Sequence, residues 1–332
     1  MKSYAGYALI AWLLTGSALA AAPQPSTRAG IAPTASHPAT APRSITTQPA
    51  TRSAGPNYAG QRNEKTPVHL LAVGLIVLGV WAFLICSRPQ RLSLARAPGR
   101  PNRLQLPHFA LVFLVFMLPG WLFDCYHQHY LKNPVSPPAK LALLELLAVQ
   151  VVMIAVCLLA AKWTFVFGLR NGLGLNLRHP VRDVVWAALA VLALMPVTWI
   201  LLWASSWVMR GLGVEIRMNP AFDYLEGFGW CGKAATVFGV VVLAPVSEEL
   251  LFRGIFQSML RAYRVGPWPA VAISSALFVW MHMGVPHDVV PLLPLAIVLG
   301  YSYERCGRLV PSILIHALFN GVNVLTFLTG LG

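Results

Sequence analysis

The chain has 332 residues, of which 57% are hydrophobic and only 11% charged, and its mean hydropathy is +0.63. These values exclude a water-soluble globular protein and indicate an integral membrane protein. The net charge of +14 does not indicate nucleic-acid binding, because Arg and Lys are spread through short loops between apolar runs, without a dense basic tract or neighbouring stacking aromatics. Basic loops of this kind are instead the topology signal of a membrane protein.

The N-terminus is predicted to be a signal peptide followed by a disordered linker. Lys2 precedes an apolar core over residues 7–14 and the small-x-small sequence ALA at 18–20, which is typical of a signal-peptidase site. We therefore assign residues 1–20 to a signal peptide, with an uncleaved first transmembrane helix as the alternative. Residues 21–66 are rich in Ala, Pro, Thr and Ser and cannot bury a core, which predicts a disordered linker.

The rest of the chain contains eight apolar segments that are long enough, or nearly so, to span a bilayer, which takes about 20 residues. We predict an all-α polytopic membrane protein with about eight transmembrane helices. Residues 67–183 hold the N-terminal helices, and residues 184–328 hold the helices that carry the polar motifs described below. The segments are Val68 to Cys86, His108 to Phe123, Leu141 to Val166, Val184 to Met209, Ala234 to Arg261, Trp268 to Met283, Val289 to Tyr303 and Leu309 to Leu328.

The loops between these segments alternate in charge. Those after the first, third, fifth and seventh segments are basic and are predicted to be cytoplasmic, because Lys and Arg are enriched on that side of a membrane. An even number of helices then leaves both ends of the mature chain outside. With the signal peptide, this predicts a multi-pass protein of a bacterial inner (plasma) membrane. The basic residues are Arg88, Arg91, Arg96, Arg100, Arg103, Lys162, Arg170, Arg178, Arg182, Arg261, Arg264, Arg305 and Arg308.

The five cysteines do not predict a disulfide framework. Cys86, Cys157 and Cys306 fall in or beside predicted helices, where a cysteine behaves as a small apolar residue. Cys125 and Cys231 both fall in predicted outer loops, so a disulfide between them is one alternative and two free thiols are the other.

The stretch LAPVSEELLFRG, residues 243–254, places three charges inside an apolar segment. A charge near the bilayer centre costs several kcal/mol on insertion scales, so such residues are retained mainly where they pair or work. On an α-helix Glu249 and Arg253 share a face, whereas Glu248 points about a quarter-turn away. We predict that Glu249 pairs with Arg253 and that Glu248 faces a cavity; a purely structural ion pair would not explain the second glutamate.

Two later helices carry further polar residues at helical spacing. FVWMH places Phe278 and His282 four residues apart, and HALFN does the same for His316 and Asn320. Taken alone, His282 is equally compatible with a hydrogen-bonded packing residue. From a rise of 1.5 Å per residue, Glu248 lies roughly 20 to 24 Å deep, His282 roughly 21 Å, and the last pair roughly 10 to 16 Å. One shared cavity within the membrane is therefore feasible.

The three motifs in this order resemble the CPBP family, the intramembrane proteases related to the CAAX prenyl endopeptidase and to bacterial bacteriocin-processing and immunity proteins. They read Glu248-Glu249-x-x-x-Arg253, Phe278-x-x-x-His282 and His316-x-x-x-Asn320. The resemblance covers roughly residues 184–328 and is carried by the order of the motifs, since the second and third are individually weak.

The resemblance implies peptide-bond hydrolysis inside the membrane, with residues 184–328 as the catalytic core. Glu248 would be the general base that takes a proton from water. His282 would bind the same water and shuttle the proton, while His316 and Asn320 would donate hydrogen bonds to the oxyanion. Arg253 would keep Glu249 ionised and fix the helix face. The expected partners are a membrane-embedded protein or peptide substrate and the lipid bilayer, with no nucleic acid.

Other readings stay open. Two histidines and a glutamate also form a zinc-ligand set, and the family has been described both as metalloproteases and as glutamate proteases. We expect no required cofactor, because no H-E-x-x-H pair fixes two ligands on one turn and Asn320 is a poor zinc ligand. A non-catalytic scaffold or immunity protein and an ion-coupled transporter are the remaining alternatives; no inverted repeat favours the transporter.

Overall fold

A computed structural model describes residues 68–87, 93–130, 139–214, 225, 228–283 and 286–329. The predicted signal peptide and linker lie outside the described residues. The described residues form eight long helices. Each of the eight predicted apolar segments coincides with one of them, so the predicted helices are confirmed. They are α1 (Val68–Ser87), α2 (Leu106–Tyr130), α3 (Ala139–Thr164), α4 (Pro180–Gly211), α5 (Trp230–Ala262), α6 (Pro267–Trp280), α7 (Pro286–Cys306) and α8 (Val310–Thr329).

The helices have the length and the surface of membrane-spanning segments. By length and composition, five of them can cross a bilayer, namely most of α3 and α7 and the whole of α4, α5 and α8; α1, α2 and α6 contain shorter apolar stretches. Large apolar side chains lie on the outside of the bundle, and Trp163, Trp203 and Trp207 are each at least 70% exposed. Such a surface suits lipid rather than water. The protein is an all-α polytopic membrane protein, and among the described residues the only β-type pairing is an isolated bridge.

Helix α4 packs against α1, α7 and α8. Gly74 permits the close approach of α1, because a Cβ at this position would lie 2.7 Å from the carbonyl oxygen of Leu192. The rings of Trp81 and Trp186 meet 4.7 Å apart along the same contact. Buried apolar residues of α4, α7 and α8, such as Ala187, form one of the two cores.

Helix α5 lies in the second core, which α2, α3, α6 and α7 complete. Two side chains on its polar face donate hydrogen bonds to backbone carbonyls of α7, and donor and acceptor are equally far apart in the sequence in both cases. Arg253 donates from Nη2 to the carbonyl of Ala296 at 3.1 Å, and Gln257 donates to that of Gly300 at 3.1 Å. Gly300 leaves room for this contact, since a Cβ there would lie 3.0 Å from the Oε1 atom of Gln257. These bonds fix α5 against α7 in a single register.

Two segments of α5 have π-helical hydrogen bonding. Gly239–Leu243 and Leu250–Gln257 are π-helical, and Ala244–Glu249 between them is α-helical. Such π segments are rare and are frequent at functional sites. Here they flank the short α-helical stretch that ends in the two glutamates.

The predicted cytoplasmic loops meet at one end of the bundle. Glu304 of α7 is fully buried and binds Arg100, at 2.5 Å, and Arg261, at 3.4 Å, which come from the loop before α2 and the last turn of α5. Asp183 at the start of α4 binds Arg308 through two hydrogen bonds of 2.5 Å. The predicted common side of these loops is therefore consistent with their positions, although which side faces the cytoplasm stays a prediction.

Cys125 and Cys231 are both free and exposed in the structure, so the alternative of a disulfide between them is wrong. The remaining cysteines are free as well, and Cys157 is fully buried in the core around α3. None of the five cysteines forms a covalent cross-link, and Cys157 contributes to the packing of the core.

Candidate active site

The ion pair between Glu249 and Arg253 lies at the centre of the predicted site. Nη1 of Arg253 donates to Oε1 of Glu249 at 2.7 Å, and both side chains are completely buried. The guanidinium also lies 4.7 Å from the centre of the Phe278 ring. The predicted pairing is confirmed, and these contacts compensate the cost of burying the charge.

His316 of α8 joins the two glutamates. Its Nδ1 atom lies 3.0 Å from Oε1 of Glu249, within hydrogen-bond distance, and its Nε2 atom lies 3.8 Å from Oε2 of Glu248. Glu248 differs from its neighbour because its side chain is 17% exposed, whereas that of Glu249 is fully buried; the Oε2 atoms of both carboxylates have no hydrogen-bond partner among the described residues. Glu248 is thus the carboxylate that is partly accessible and that Arg253 does not bind.

His282 contacts the site through Phe278. Its Nδ1 atom donates to the carbonyl oxygen of Phe278 at 2.8 Å, since a carbonyl can only accept. The two rings lie 4.6 Å apart, and the Phe278 ring also meets that of His316 edge-on at 5.7 Å. His282 makes no hydrogen bond or ion pair to either glutamate. The histidine beside Glu248 is therefore His316, and the predicted role of His282 at the same water stays a prediction.

Asn320 binds the main chain of α5. Its Nδ2 atom donates to the carbonyl oxygen of Val240 at 2.9 Å. In the π-helical register that Ala244 establishes by bonding to Gly239, the carbonyl of Val240 would receive its bond from residue 245. That residue is Pro245, which has no N–H. Asn320 therefore supplies the missing donor, a role that its predicted function as an oxyanion donor did not include.

Gln150 is a neighbour of the site that the sequence analysis missed. It is buried in α3, and its Oε1 atom accepts a hydrogen bond from the hydroxyl of Ser247, the residue before Glu248. The available signal was a lone amide in the apolar segment 141–166. An uncharged polar group in such a segment needs a partner inside the bundle.

The residues as placed do not make a ready zinc site. Among the described residues, no group of three or more His, Cys, Asp or Glu side chains could hold a metal ion. Nδ1 of His282 is engaged with a backbone carbonyl, and Nδ1 of His316 with Glu249. Among the described residues of this site, only Glu248 and His316 bring potential ligand atoms close to each other without a competing partner. A chemical step through zinc has no support in this donor set.

Relatives with curated sequences match parts of the chain. The UPF0177 proteins YaiF and YaiH of Lactococcus lactis subsp. lactis (strain IL1403) are 41% and 34% identical to it over 81 residues, or 24% of this chain. The chain spans only about a third of their length, 35% and 33%. The UPF0177 protein YajF of the same strain is 24% identical over 196 residues, which are 58% of this chain and 89% of that protein. No solved structure matches the chain.

A protein-family model also matches, over residues 230–322. Its description is type II CAAX prenyl endopeptidase Rce1-like. The matched region runs from the first residue of α5 into α8 and contains Glu248, Glu249, Arg253, His282, His316 and Asn320. It is shorter than the region 184–328 over which the motifs suggested the resemblance. Over residues 230–322 the resemblance to the CAAX proteases is thereby confirmed: this part of the chain is similar to the type II CAAX prenyl endopeptidase Rce1-like family.

Proposed function

We propose that the protein is an intramembrane endopeptidase that hydrolyses a peptide bond of a membrane-associated protein or peptide. The observation that carries this proposal is the placement of Glu248 and Glu249 on either side of His316 inside a bundle of apolar helices. This triad lies in the region that matches a peptidase family. The mechanism below uses only side chains of this chain.

Glu248 is the general base in this proposal. Its neighbour Glu249 is fully buried and accepts from Arg253 and His316 through Oε1, whereas the side chain of Glu248 is partly exposed and accepts a hydrogen bond from neither of them. A carboxylate with a free acceptor can take a proton from water while the water oxygen attacks the peptide carbonyl carbon. Positioned general bases contribute about 100-fold to 10,000-fold to such reactions.

The two histidines have different roles in this proposal. His282 donates from Nδ1 to a carbonyl, so in its neutral form its Nε2 atom is an acceptor that can help to orient the water. Two carboxylates and one guanidinium leave one negative charge in the site, which an imidazolium at His316 would balance. Its Nε2–H would then donate to the oxyanion of the tetrahedral intermediate.

Asn320 holds the geometry of α5 and has one amide hydrogen left. The bond to Val240 uses a single N–H of its NH₂ group. The second N–H is the one that the oxyanion role requires. In this proposal Asn320 therefore stabilises the π-helical segment before the glutamates and contributes a second oxyanion donor.

The substrate and the location belong to the same proposal. A site among apolar helices suits a protein or peptide that is itself embedded in the membrane, and the basic loops suit the inner membrane of a bacterial cell. Nucleic acid is no part of the proposed chemistry, and no cofactor is required for it.

The test compares Glu248→Gln with the unaltered protein in proteoliposomes. Membrane and secreted peptides of cells with and without the protein first identify a cleaved substrate. Cleavage of that substrate should then fall by about 100-fold to 10,000-fold in Glu248→Gln, because the base is lost. Glu145→Gln, which removes a glutamate from α3 outside the site, is the matched control and should cleave normally.

Two results would contradict the proposal. Cleavage by Glu248→Gln at the rate of the control would remove Glu248 from the mechanism. Ion flux that depends on Glu248, in vesicles that show no hydrolysis, would replace the peptidase by a transporter.

A further inference from the structure

A pocket of about 390 Å³ opens at the end of the bundle where the basic loops meet. Its walls come from the loop before α2, the segment between α3 and α4, the start of α4 and the turn between α7 and α8. The proposed peptidase site does not share any of its residues. The lining residues are Pro98, Gly99, Arg100, Asn171, Asn176, Arg178, His179, Arg182, Cys306, Gly307 and Arg308.

The lining of this pocket is strongly basic. Four arginines and one histidine line it, and no aspartate or glutamate does. Arg100 and Arg308 are paired with Glu304 and Asp183, but both carboxylates lie outside the lining. The hydrogen bonds that Arg308 donates to Asp183 raise the pKa of Arg308, so that this guanidinium stays charged.

Arg178 and Arg182 supply the unpaired charge of the pocket. Both side chains are exposed, and neither has an ion-pair partner among the described residues. Two guanidinium groups four residues apart, on either side of a helix start, can both reach one bound anion. Guanidinium groups bind phosphate and carboxylate oxygens through paired N–H donors.

Buried polar atoms of the lining are left without partners. Arg100 is only 4% exposed, and its Nε–H has no hydrogen-bond acceptor among the described residues. The Oδ1 atom of Asn176 is likewise buried and unpaired. An unmatched donor at a buried guanidinium costs free energy unless a ligand accepts from it. The pocket therefore contains a donor for an anion besides its net charge.

The first turn of α4 adds backbone donors at the rim. The helix begins after His179 with Pro180 at its first position, and no side chain caps it. The first N–H groups of an uncapped helix are free to bind an anion, and the helix dipole favours negative charge there. This helix start lies between the two unpaired arginines.

The backbone on the opposite wall is fixed by a close approach that requires glycine. Gly174 has a φ of +84°, and a Cβ at this residue would lie 2.6 Å from the Cα atom of Arg308. Its carbonyl accepts from the N–H of Leu309 at 3.1 Å. Arg308 is thus held in place by its own backbone as well as by Asp183, so the pocket is formed without a ligand.

We infer that this pocket binds a phosphate group. The ligand is either the headgroup phosphate of an anionic lipid at the membrane surface or a phosphate from solution, since both present the same oxygens to the arginines. The location of the pocket among the basic loops at the end of membrane-spanning helices gives access to both.

The test measures equilibrium binding to the full-length protein in detergent at about 0.15 M ionic strength, where surface charges are largely screened. The probes are inorganic phosphate, dioctanoyl phosphatidylglycerol and dioctanoylglycerol, which has the same chains without phosphate. We expect saturable binding of at least one phosphate-bearing probe and none of dioctanoylglycerol. Binding of phosphatidylglycerol alone identifies a lipid headgroup, and equal binding of inorganic phosphate identifies a soluble anion; both results support the inference.

Variants connect the binding to this pocket. Arg178→Gln and Arg182→Gln should each weaken binding about 10-fold, the effect of losing one charge-assisted contact, and the double variant should weaken it further. The control is the double variant Arg96→Gln with Lys162→Gln, which removes two exposed charges outside the pocket. It should bind like the unaltered protein.

Melting temperatures measured without ligand confirm that the variants are folded. Because Arg178 and Arg182 are exposed, we expect the melting temperatures of their variants to match that of the control variant. Absence of saturable phosphate binding would overturn the inference. Equal weakening in the pocket variant and the control variant would also overturn it, because the binding would then reflect only the overall charge.

Discussion

Replacing Glu249 by glutamine should destabilise the protein severely, although the side chain keeps its size. Among the described residues, the carboxylate is the only anion in contact with the fully buried Arg253, and it also accepts from His316. In the variant, the guanidinium keeps one backbone carbonyl, that of Ala296, and the face of Phe278. Neither of these neutralises a charge inside the membrane.

The magnitude follows from the burial of both partners. Removing one partner of a buried pair costs about 3 to 5 kcal/mol, because an uncompensated charge is left behind. The total free energy of unfolding of a protein is about 5 to 15 kcal/mol, so this cost is a large fraction of it. At tenfold per 1.4 kcal/mol, the ratio of folded to unfolded protein should fall by about 100-fold to 4,000-fold.

The assay measures accumulation in the membrane and melting temperature in detergent for three variants: Glu249→Gln, a control and a double variant. Glu248→Gln is the matched control, since it makes the same chemical change one residue earlier, at a carboxylate without a strong partner. A double variant, Glu249→Leu with Arg253→Met, removes both charges and should recover much of the loss, because apolar replacement of a buried pair is often nearly neutral. Equal stability of the two single glutamine variants would refute the reasoning.

Three further predictions concern the rest of the molecule. A reporter fused after Arg100 should be cytoplasmic and one fused at Pro137 external; the reverse at both sites would invert the topology. Purified protein should keep its activity in a strong chelator and carry no stoichiometric zinc, whereas activity that zinc restores would move His316 and Glu248 into ligand roles. Asn320→Ala should lower the free energy of unfolding by about 0.5 to 1.5 kcal/mol, measured by denaturation in detergent, since a partly buried carbonyl of α5 loses its donor; unchanged stability would leave Asn320 without a structural role.

The helices were predictable because their signal is long and repetitive. Eight apolar segments separated by basic or proline-rich loops fix the positions of helices within a few residues, as α4 and α8 show. The pair of Glu249 and Arg253 was predictable for a similar reason, since a spacing of four residues places two side chains on one helix face. Both predictions depend only on local geometry.

Contacts between helices were harder to predict. The depth estimate placed His282 closest to Glu248. Which histidine meets the glutamates depends on how α6 and α8 are rotated about their axes. The spacing of residues in the sequence does not give this rotation. The role of Asn320 depended on a π-helical segment whose donor is absent at Pro245. The loop arginines were assigned to topology alone, although Arg100 proved to be buried against Glu304.

The Phe278 ring has a consequence for how the site responds to mutation. This fully buried ring lies against Arg253 of α5, His316 of α8 and His282 in the turn after α6. Residues that share a packing partner usually show interaction energies of about 0.5 to 3 kcal/mol in double-mutant cycles. Substitutions at Arg253 and His282 are therefore expected to be non-additive although no hydrogen bond joins them. The energetic contribution measured for either residue therefore depends on the position that the Phe278 ring takes between them.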